Sequence, residues 1–385
     1  MNNFTYYNPV KIIFGKGATG ELKDLISNDL RVMFTYGGGS IKKNGVYDQV
    51  KEALKNHEVI EFGGIEANPE YETLMKGVAV AKAENIDFLL AVGGGSVLDG
   101  TKFMAAAITC KIKDPWKIVT TGGRPIKDAV PIGSVMTLPA TGSEMNGNVV
   151  ISRRETGEKR VFSSVFCYPK FSILDPETSF SLPERQVNNG IVDSFVHVIE
   201  QYMTVRPDSP LQDRQAEAIL KTLIEEAPKV KTSPDDYNVR ANLVWCATQA
   251  LNGTIGCGVP QDWASHMIGH ELTAMYGLDH GQALAIVLPA LLKHRKENKL
   301  EKLAQYGGRI WNILEGSPQE RADKAIEKTS QFFMSLGVKV TLGDYDIGSE
   351  NFEKIGNIFE SRRMVLGENG DIKGEEVVEI LNLCL

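Results

Sequence analysis

The apolar patterning changes character once along these 385 residues, and that change constrains the fold more than any other feature of the sequence. Through about the first 180 residues, short apolar runs ending in Gly, Pro or Ser alternate with amphipathic helical stretches. Arg31 to Tyr36, Phe88 to Val92 and Ile132 to Leu138 are the clearest runs, and Glu70 to Glu84 is the clearest helical stretch between them. Near-continuous apolar runs belong to strands buried on both faces, so they predict a parallel sheet covered by helices on each side. After Leu182-Pro183-Glu184 the strand-like runs give way to helical periodicity over Val187 to Met203, Leu211 to Ile224 and Asp236 to Leu251. The expected architecture is an α/β domain over residues 1–183 and an all-α domain over residues 184–385, divided by the Pro-containing turn.

A formal net charge of −7 gives no basic face for nucleic acid or anionic lipid, so neither is an expected partner. The N-terminus lacks the basic and apolar regions of a signal peptide, and the longest apolar run, Ala283 to Leu292, contains Pro289 and is half a membrane span. These features place the protein in the cytoplasm. Cys110, Cys167, Cys246, Cys257 and Cys384 are scattered without CxxC pairing, which suggests reduced thiols. The charge-dense but sign-mixed run Lys293 to Lys302 reads as a solvated helix surface.

Two strands of the first half end in the same tetrapeptide. Gly37-Gly38-Gly39-Ser40 follows Tyr36, and Gly93-Gly94-Gly95-Ser96 follows Val92 and opens into a helix carrying Asp99 and Lys102. A phosphate needs close backbone approach and free N–H donors at a helix N-terminus, and a Cβ would obstruct both. One such turn is also an ordinary strand-to-helix connection, but two at the carboxyl ends of strands point to a dinucleotide. Neither of these two turns has the GxGxxG spacing. No acidic residue follows the first turn to meet ribose hydroxyls; Ile41-Lys42-Lys43 follows instead, which favours the 2′-phosphate of NADP(H) if the two lysines are more than a solvated helix start.

Four of the six histidines fall between positions 197 and 280. Asp193 and His197 are four apart within one helical pattern, His266 and His270 repeat that spacing in another, and His280 follows in a turn. Their neighbours Phe195, Val196, Trp263, Met267 and Leu278 are apolar, so the imidazoles would be partly desolvated, and a cation would satisfy them. Three imidazoles and a carboxylate drawn from this set suit Fe2+ or Zn2+.

These motifs, with Phe14-Gly-Lys-Gly17, Leu138-Pro-Ala-Thr-Gly-Ser-Glu144 and Gly277-Leu-Asp-His280, make the chain similar over nearly its whole length to the iron-containing, or group III, alcohol dehydrogenases. Within that family it resembles the branch of NADPH-dependent aldehyde reductases and butanol dehydrogenases. The resemblance implies a Rossmann-like N-terminal dinucleotide-binding domain, a helical C-terminal domain and a cleft holding one divalent metal, iron or zinc. It implies Asp193, His197, His266 and His280 as the ligands, with His270 beside the metal facing substrate and nicotinamide. It further implies Gly94, Gly95, Ser96 and Asp99 at the pyrophosphate and its ribose, Gly37, Gly38 and Ser40 at the 2′-phosphate end, and Asn68, Thr137, Thr141, Asn146 and Lys159 as further cofactor contacts. NAD-preferring members carry an aspartate near the position of Gly39, which this chain lacks. A homodimer is a further expectation of the resemblance.

The expected reaction is hydride exchange between NADPH and a small, uncharged aldehyde, giving a primary alcohol, with His270 or a relay through water as proton source. The absence of Arg or Lys from the stretches around the metal motifs argues against phosphorylated or carboxylate substrates. Competing readings are a polyol or glycerol dehydrogenase, a dehydroquinate synthase-like lyase on the same scaffold, and a non-catalytic metal- or nucleotide-binding protein.

Overall fold

The protein, seen here as a computed structural model, is described over residues 1–204 and 208–385 and divides into two compact units. One comprises residues 7–183 with 233–252, and the other residues 1–6, 184–232 and 253–385.

In chain order the first unit holds β1 (Lys11–Phe14), α1 (Leu22–Leu25), β2 (Arg31–Tyr36), α2 (Val46–Ala53), β3 (Glu58–Phe62), α3 (Tyr71–Ala83), β4 (Phe88–Gly94), α4 (Gly95–Thr109), α5 (Trp116–Thr120) and β5 (Ile132–Leu138). β6 (Asn148–Arg153), β7 (Glu158–Ser163) and β8 (Phe171–Leu174) follow. Six strands form one parallel sheet in the order β1-β8-β5-β4-β2-β3. Alternate side chains serve opposite faces: Val32, Phe34, Leu90 and Val92 join the core under α1 and α2, whereas Met33, Leu89 and Ala91 join the core under α3, α4 and α5. Both faces are covered, as the uninterrupted apolar runs require. β6 and β7 form a separate antiparallel pair that the sequence reading did not contain, because their Arg, Glu and Lys residues hide the alternation.

The strand order positions the first candidate site. From β2 the chain moves outward to β3, then returns to place β4 on the other side of β2, so the order reverses between β2 and β4. Open α/β sheets bind ligands at the carboxyl ends of strands at such a point. Tyr36 pairs with Val92 there, and each residue is followed directly by one of the two glycine turns.

The second unit is helical: α6 (Glu184–Tyr202), α7 (Pro210–Thr232), α9 (Ala264–Tyr276), α10 (His280–His294), α11 (Leu300–Ile310), α12 (Pro318–Ser335), α13 (Phe352–Ser361) and α14 (Gly374–Asn382). α9, α10, α13 and α14 share a core around Ile268, Leu272, Ile286, Ile355 and Leu381. Among the described residues no helix is long and apolar enough to cross a membrane.

One helix departs from the expected division of the sequence at Pro183. α8 (Tyr237–Ala250) lies in the helical half of the sequence but packs within the α/β unit. There Thr248 Oγ1 donates to Glu144 Oε1 at 2.5 Å, Asn146 Nδ2 donates to Leu251 O at 3.2 Å, and the Trp245 ring meets Phe14 edge-on. Helical periodicity identified the element but carries no information about which core receives its apolar face.

Candidate functional site

Asp193 and His197 stand one turn apart on the buried face of α6. His266 and His270 repeat this on α9, which ends at Gly277 in the left-handed conformation (φ 71°). The chain then turns through Leu278 and Asp279, the latter capping α10, and returns His280 to the same place as the first residue of that helix. The close approach of α10 to α6 depends on Gly281: a Cβ there would lie 2.6 Å from the carbonyl oxygen of Asn189, one turn before Asp193.

These elements converge on one oxygen. Asp193 Oδ1 lies 3.5 Å from His197 Nε2, 3.4 Å from His266 Nε2 and 3.6 Å from His280 Nε2. Donor atoms bound tetrahedrally at about 2.0–2.1 Å are separated from one another by about 3.3–3.4 Å, which the distances from Asp193 Oδ1 approach. Asp193 is 4% exposed, and neither its Oδ1 nor His266 Nε2 makes a hydrogen bond among the described residues. Leaving such atoms unsatisfied in a buried site costs about 1–3 kcal/mol each, and a divalent cation removes that cost. The donor set of nitrogen and carboxylate oxygen suits Fe2+ or Zn2+. Asp193, His266 and His280 form the tightest group, their ligand atoms all within 4.8 Å of one another. His197 joins through Asp193, with its ring stacked on His266 at 4.5 Å between centres. Burial by itself would raise the Asp193 carboxyl, but the His197 and His280 imidazoles, with His266, hold it well below its ordinary range. The His280 side chain, 25% exposed, is the most open of the four. His270 is buried beside them, its ring centre 5.2 Å from that of His280.

The sequence reading missed Glu200. It lies on α6, seven residues after Asp193 and three after His197, buried with its carboxylate on His266 Nδ1. The signal was present: 193, 197 and 200 fall on one helix face, and only the first two had been singled out. The reading of Lys293 to Lys302 as solvated surface also needs correction. Lys299 is 4% exposed, with Nζ 3.1 Å from Asp262 Oδ2 and 2.5 Å from Glu368 Oε1. No basic residue had been noted near the metal motifs, yet Arg185 approaches Asp279 at 2.8 Å; it is neutralised there by the carboxylate that precedes His280.

In the α/β unit, Gly37 and Gly38 leave β2, Gly39 takes φ 94°, and Ser40 begins a short 3-10 turn. β4 passes directly into the fifteen-residue α4 at Gly94 and Gly95, and a Cβ on Gly95 would fall 2.4 Å from Thr141 Oγ1. Ser96 Oγ donates to Ala67 O, beside Asn68, whose Oδ1 accepts from Lys159 Nζ at 3.0 Å. Lys42 holds its ammonium 4.8 and 4.9 Å from the ring centres of Tyr36 and Tyr47. Glu61 accepts from Tyr47 Oη at 2.7 Å, Tyr36 Oη at 3.3 Å and Lys51 Nζ at 3.2 Å, so this acid is already engaged. Thr137 stands at the end of β5. Asp99 and Asn146 are committed internally: Asp99 accepts from Ser143 Oγ at 2.6 Å and Val150 N at 2.8 Å, and Asn146 Oδ1 accepts from Lys102 Nζ at 3.3 Å and Asn148 N at 2.9 Å.

Residues 9–176 match the family described as iron-containing alcohol dehydrogenase, and residues 187–385 match the C-terminal part of the Fe-containing alcohol dehydrogenase family. The chain belongs to the iron-containing alcohol dehydrogenase family. It is therefore an oxidoreductase, and its four metal-motif residues lie within the C-terminal match. The chain is 56% identical over 374 residues to the NADPH-dependent aldehyde reductase YqhD of Escherichia coli (strain K12), covering 97% of each protein. It is 42% identical to the probable NADH-dependent butanol dehydrogenase 1 of Bacillus subtilis (strain 168), covering 100% of each. The crystal structure of E. coli K-12 YqhD matches with a TM-score of 0.98 and 54% identity, covering 100% of this chain and 99% of that one. This family of folds includes the parallel six-stranded sheet followed by a helical region.

Proposed function

We propose that this protein reduces small, uncharged aldehydes to primary alcohols with NADPH, and that Asp193, His197, His266 and His280 hold one divalent ion, Fe2+ or Zn2+. The observation that carries the reading is the buried Asp193 Oδ1, without a hydrogen bond among the described residues, with three imidazole nitrogens 3.4–3.6 Å away. When bound, the ion supplies Lewis acidity toward a carbonyl oxygen and the dinucleotide supplies hydride.

The chain's own residues do the rest. In this reading residues 1–183 bind the dinucleotide and residues 184–385 provide the metal and substrate surfaces. Gly94, Gly95 and Ser96 at the start of α4 offer backbone donors and a favourable helix dipole to the pyrophosphate. Gly37, Gly38 and Ser40 meet the 2′-phosphate end, where Lys42 brings positive charge. Glu61, engaged by two tyrosines and Lys51, is not free to select ribose hydroxyls, which supports NADPH in a family whose members are named for either nucleotide. Asp99 is assigned to the pyrophosphate and its ribose, and Asn68, Thr137, Thr141, Asn146 and Lys159 to further cofactor contacts; Asn146 also donates to Thr141 O, and Lys159 to Asn68 Oδ1. Trp263, 5.5 Å from His266 between ring centres, supplies an apolar wall suited to an alkyl chain. His270 is assigned the proton delivered to the product oxygen, directly or through water. Five free cysteines suit a cytoplasmic location, and the assembly proposed is a homodimer.

The test uses protein purified without added metal. Bound iron and zinc are quantified, and NADPH and NADH oxidation are followed with butanal, glycerol phosphate and, in the reverse direction, glycerol, before and after chelation. Butanal-dependent NADPH oxidation that is lost on chelation and restored by one ion is expected; activity that survives complete metal removal, or prefers NADH, overturns the corresponding assignment. His270→Ala is expected to lower kcat about 10²-fold with metal content unchanged, the lower end for acid–base assistance because water can substitute. Loss of the ion in that variant would instead make His270 a ligand.

A further inference from the structure

Glu200 is 2% exposed and makes more contacts than a helix cap requires. Its Oε1 accepts from the backbone N–H groups of Ser265 at 2.7 Å and His266 at 3.2 Å, which is the capping role at the start of α9. Its Oε2 is hydrogen-bonded to Nδ1 of the His266 ring. The Glu200 carbonyl accepts from Asp262 N at 2.8 Å, and Asp262 in turn accepts from Ala264 N at 3.0 Å and pairs with buried Lys299. Carboxylate, ring and helix start are thus fixed together.

We propose that Glu200 is a positioning residue for the metal. Through Nδ1 it holds His266 in the tautomer and rotation that aim Nε2 at Asp193 Oδ1, and it thereby sets the affinity of the site for a divalent ion. The chemistry is one of donor counting. A carboxylate at Nδ1 takes its hydrogen bond from a proton held there, so when the ring binds an ion as neutral imidazole the lone pair it offers is the one on Nε2. That nitrogen is the one 3.4 Å from Asp193 Oδ1 and without a hydrogen-bond partner among the described residues. Carboxylate–histidine pairs of this kind make the ligand more basic and are worth 10–100-fold in metal affinity.

The inference rests on the reading of Asp193, His197, His266 and His280 as ligands, and the experiment separates the two. Metal-free wild type, Glu200→Gln and Asp193→Asn are titrated with Zn2+ against a competing chelator, with NADPH binding followed by fluorescence in parallel. Gln can keep the cap through its amide oxygen while turning an NH2 group toward Nδ1, so it spares the capping role and disfavours the tautomer. Glu200→Gln is expected to bind Zn2+ about 10–100-fold more weakly with NADPH affinity unchanged. Wild-type Zn2+ affinity in Glu200→Gln overturns the inference. Wild-type affinity in Asp193→Asn overturns the ligand reading and the inference with it. A second measurement does not depend on either variant folding: ring nitrogen shifts of the zinc-loaded wild type are expected to show His266 coordinated through Nε2 with its proton on Nδ1, and coordination through Nδ1 overturns the inference.

Discussion

Asp193→Asn is expected to lose bound metal and to lower aldehyde-dependent NADPH oxidation about 10³-fold, while the fold and NADPH binding persist. The substitution keeps the shape of the side chain and removes its charge. Asp193 Oδ1 is the atom that the three imidazole nitrogens share, so this change withdraws the anionic donor that offsets a divalent ion. Loss of Lewis-acid assistance removes several kcal/mol of stabilisation of developing charge, and about 4 kcal/mol corresponds to 10³ in rate. Elemental analysis and steady-state kinetics on the same preparation check both halves. A variant that retains one ion per chain and near-normal kcat would show that the ion is held elsewhere.

The second large effect lies in the α/β unit and concerns stability. Lys102 is fully buried, and its Nζ donates to Ser143 Oγ at 2.7 Å, Asn146 O at 2.9 Å, Asn148 O at 3.0 Å and Asn146 Oδ1 at 3.3 Å. Burial pushes its ammonium below the ordinary range, and Asp99 opposes that shift. Lys102→Met fills the same space but leaves four acceptors without their donor and removes the positive charge that opposes the effect of burial on Asp99, which lies beyond Ser143 Oγ. A buried acceptor left without its donor costs about 1–3 kcal/mol, so losing several together is a large share of the 5–15 kcal/mol that stabilises a typical domain. The urea midpoint of Lys102→Met should therefore fall sharply. Adding Asp99→Asn to it should cost little more or restore part of the loss, because the stranded charge is gone. Equal and additive losses from the two single changes would refute the coupling.

The two pairs behind the proposed metal site were readable in the sequence because i, i+4 residues on a helix share a face whatever the helix packs against, so Asp193/His197 and His266/His270 needed no tertiary knowledge. The two glycine turns were readable for a similar reason: the runs ending at Tyr36 and Val92 are strong enough to be strands on their own. What escaped depends on partners far away in the chain. Glu200 is indistinguishable in sequence from a surface glutamate until α9 is placed beside it. Lys299 sits in a run that looks solvated, and its burial follows only from Asp262 and Glu368. The commitment of Asp99 and Asn146 to Ser143 and Lys102 likewise follows from the loop after β5, which local periodicity does not describe.

The placement of α8 bears on how the protein is made. Residues 7–183 are synthesised first, yet the helix that supplies Thr248 to Glu144 and Trp245 to Phe14 leaves the ribosome only after the segment 184–232. At the elongation rate of about 5–20 residues per second, the nascent α/β unit waits on the order of several seconds for its last helix. During that interval the buried carboxylate of Glu144 lacks its hydroxyl donor, and Met136 and Leu174 lack the Val244 side chain that packs with them. A gene cut at residue 183 would make that interval permanent, so the two halves of this chain are not separable as independent cassettes at the point where the sequence pattern changes.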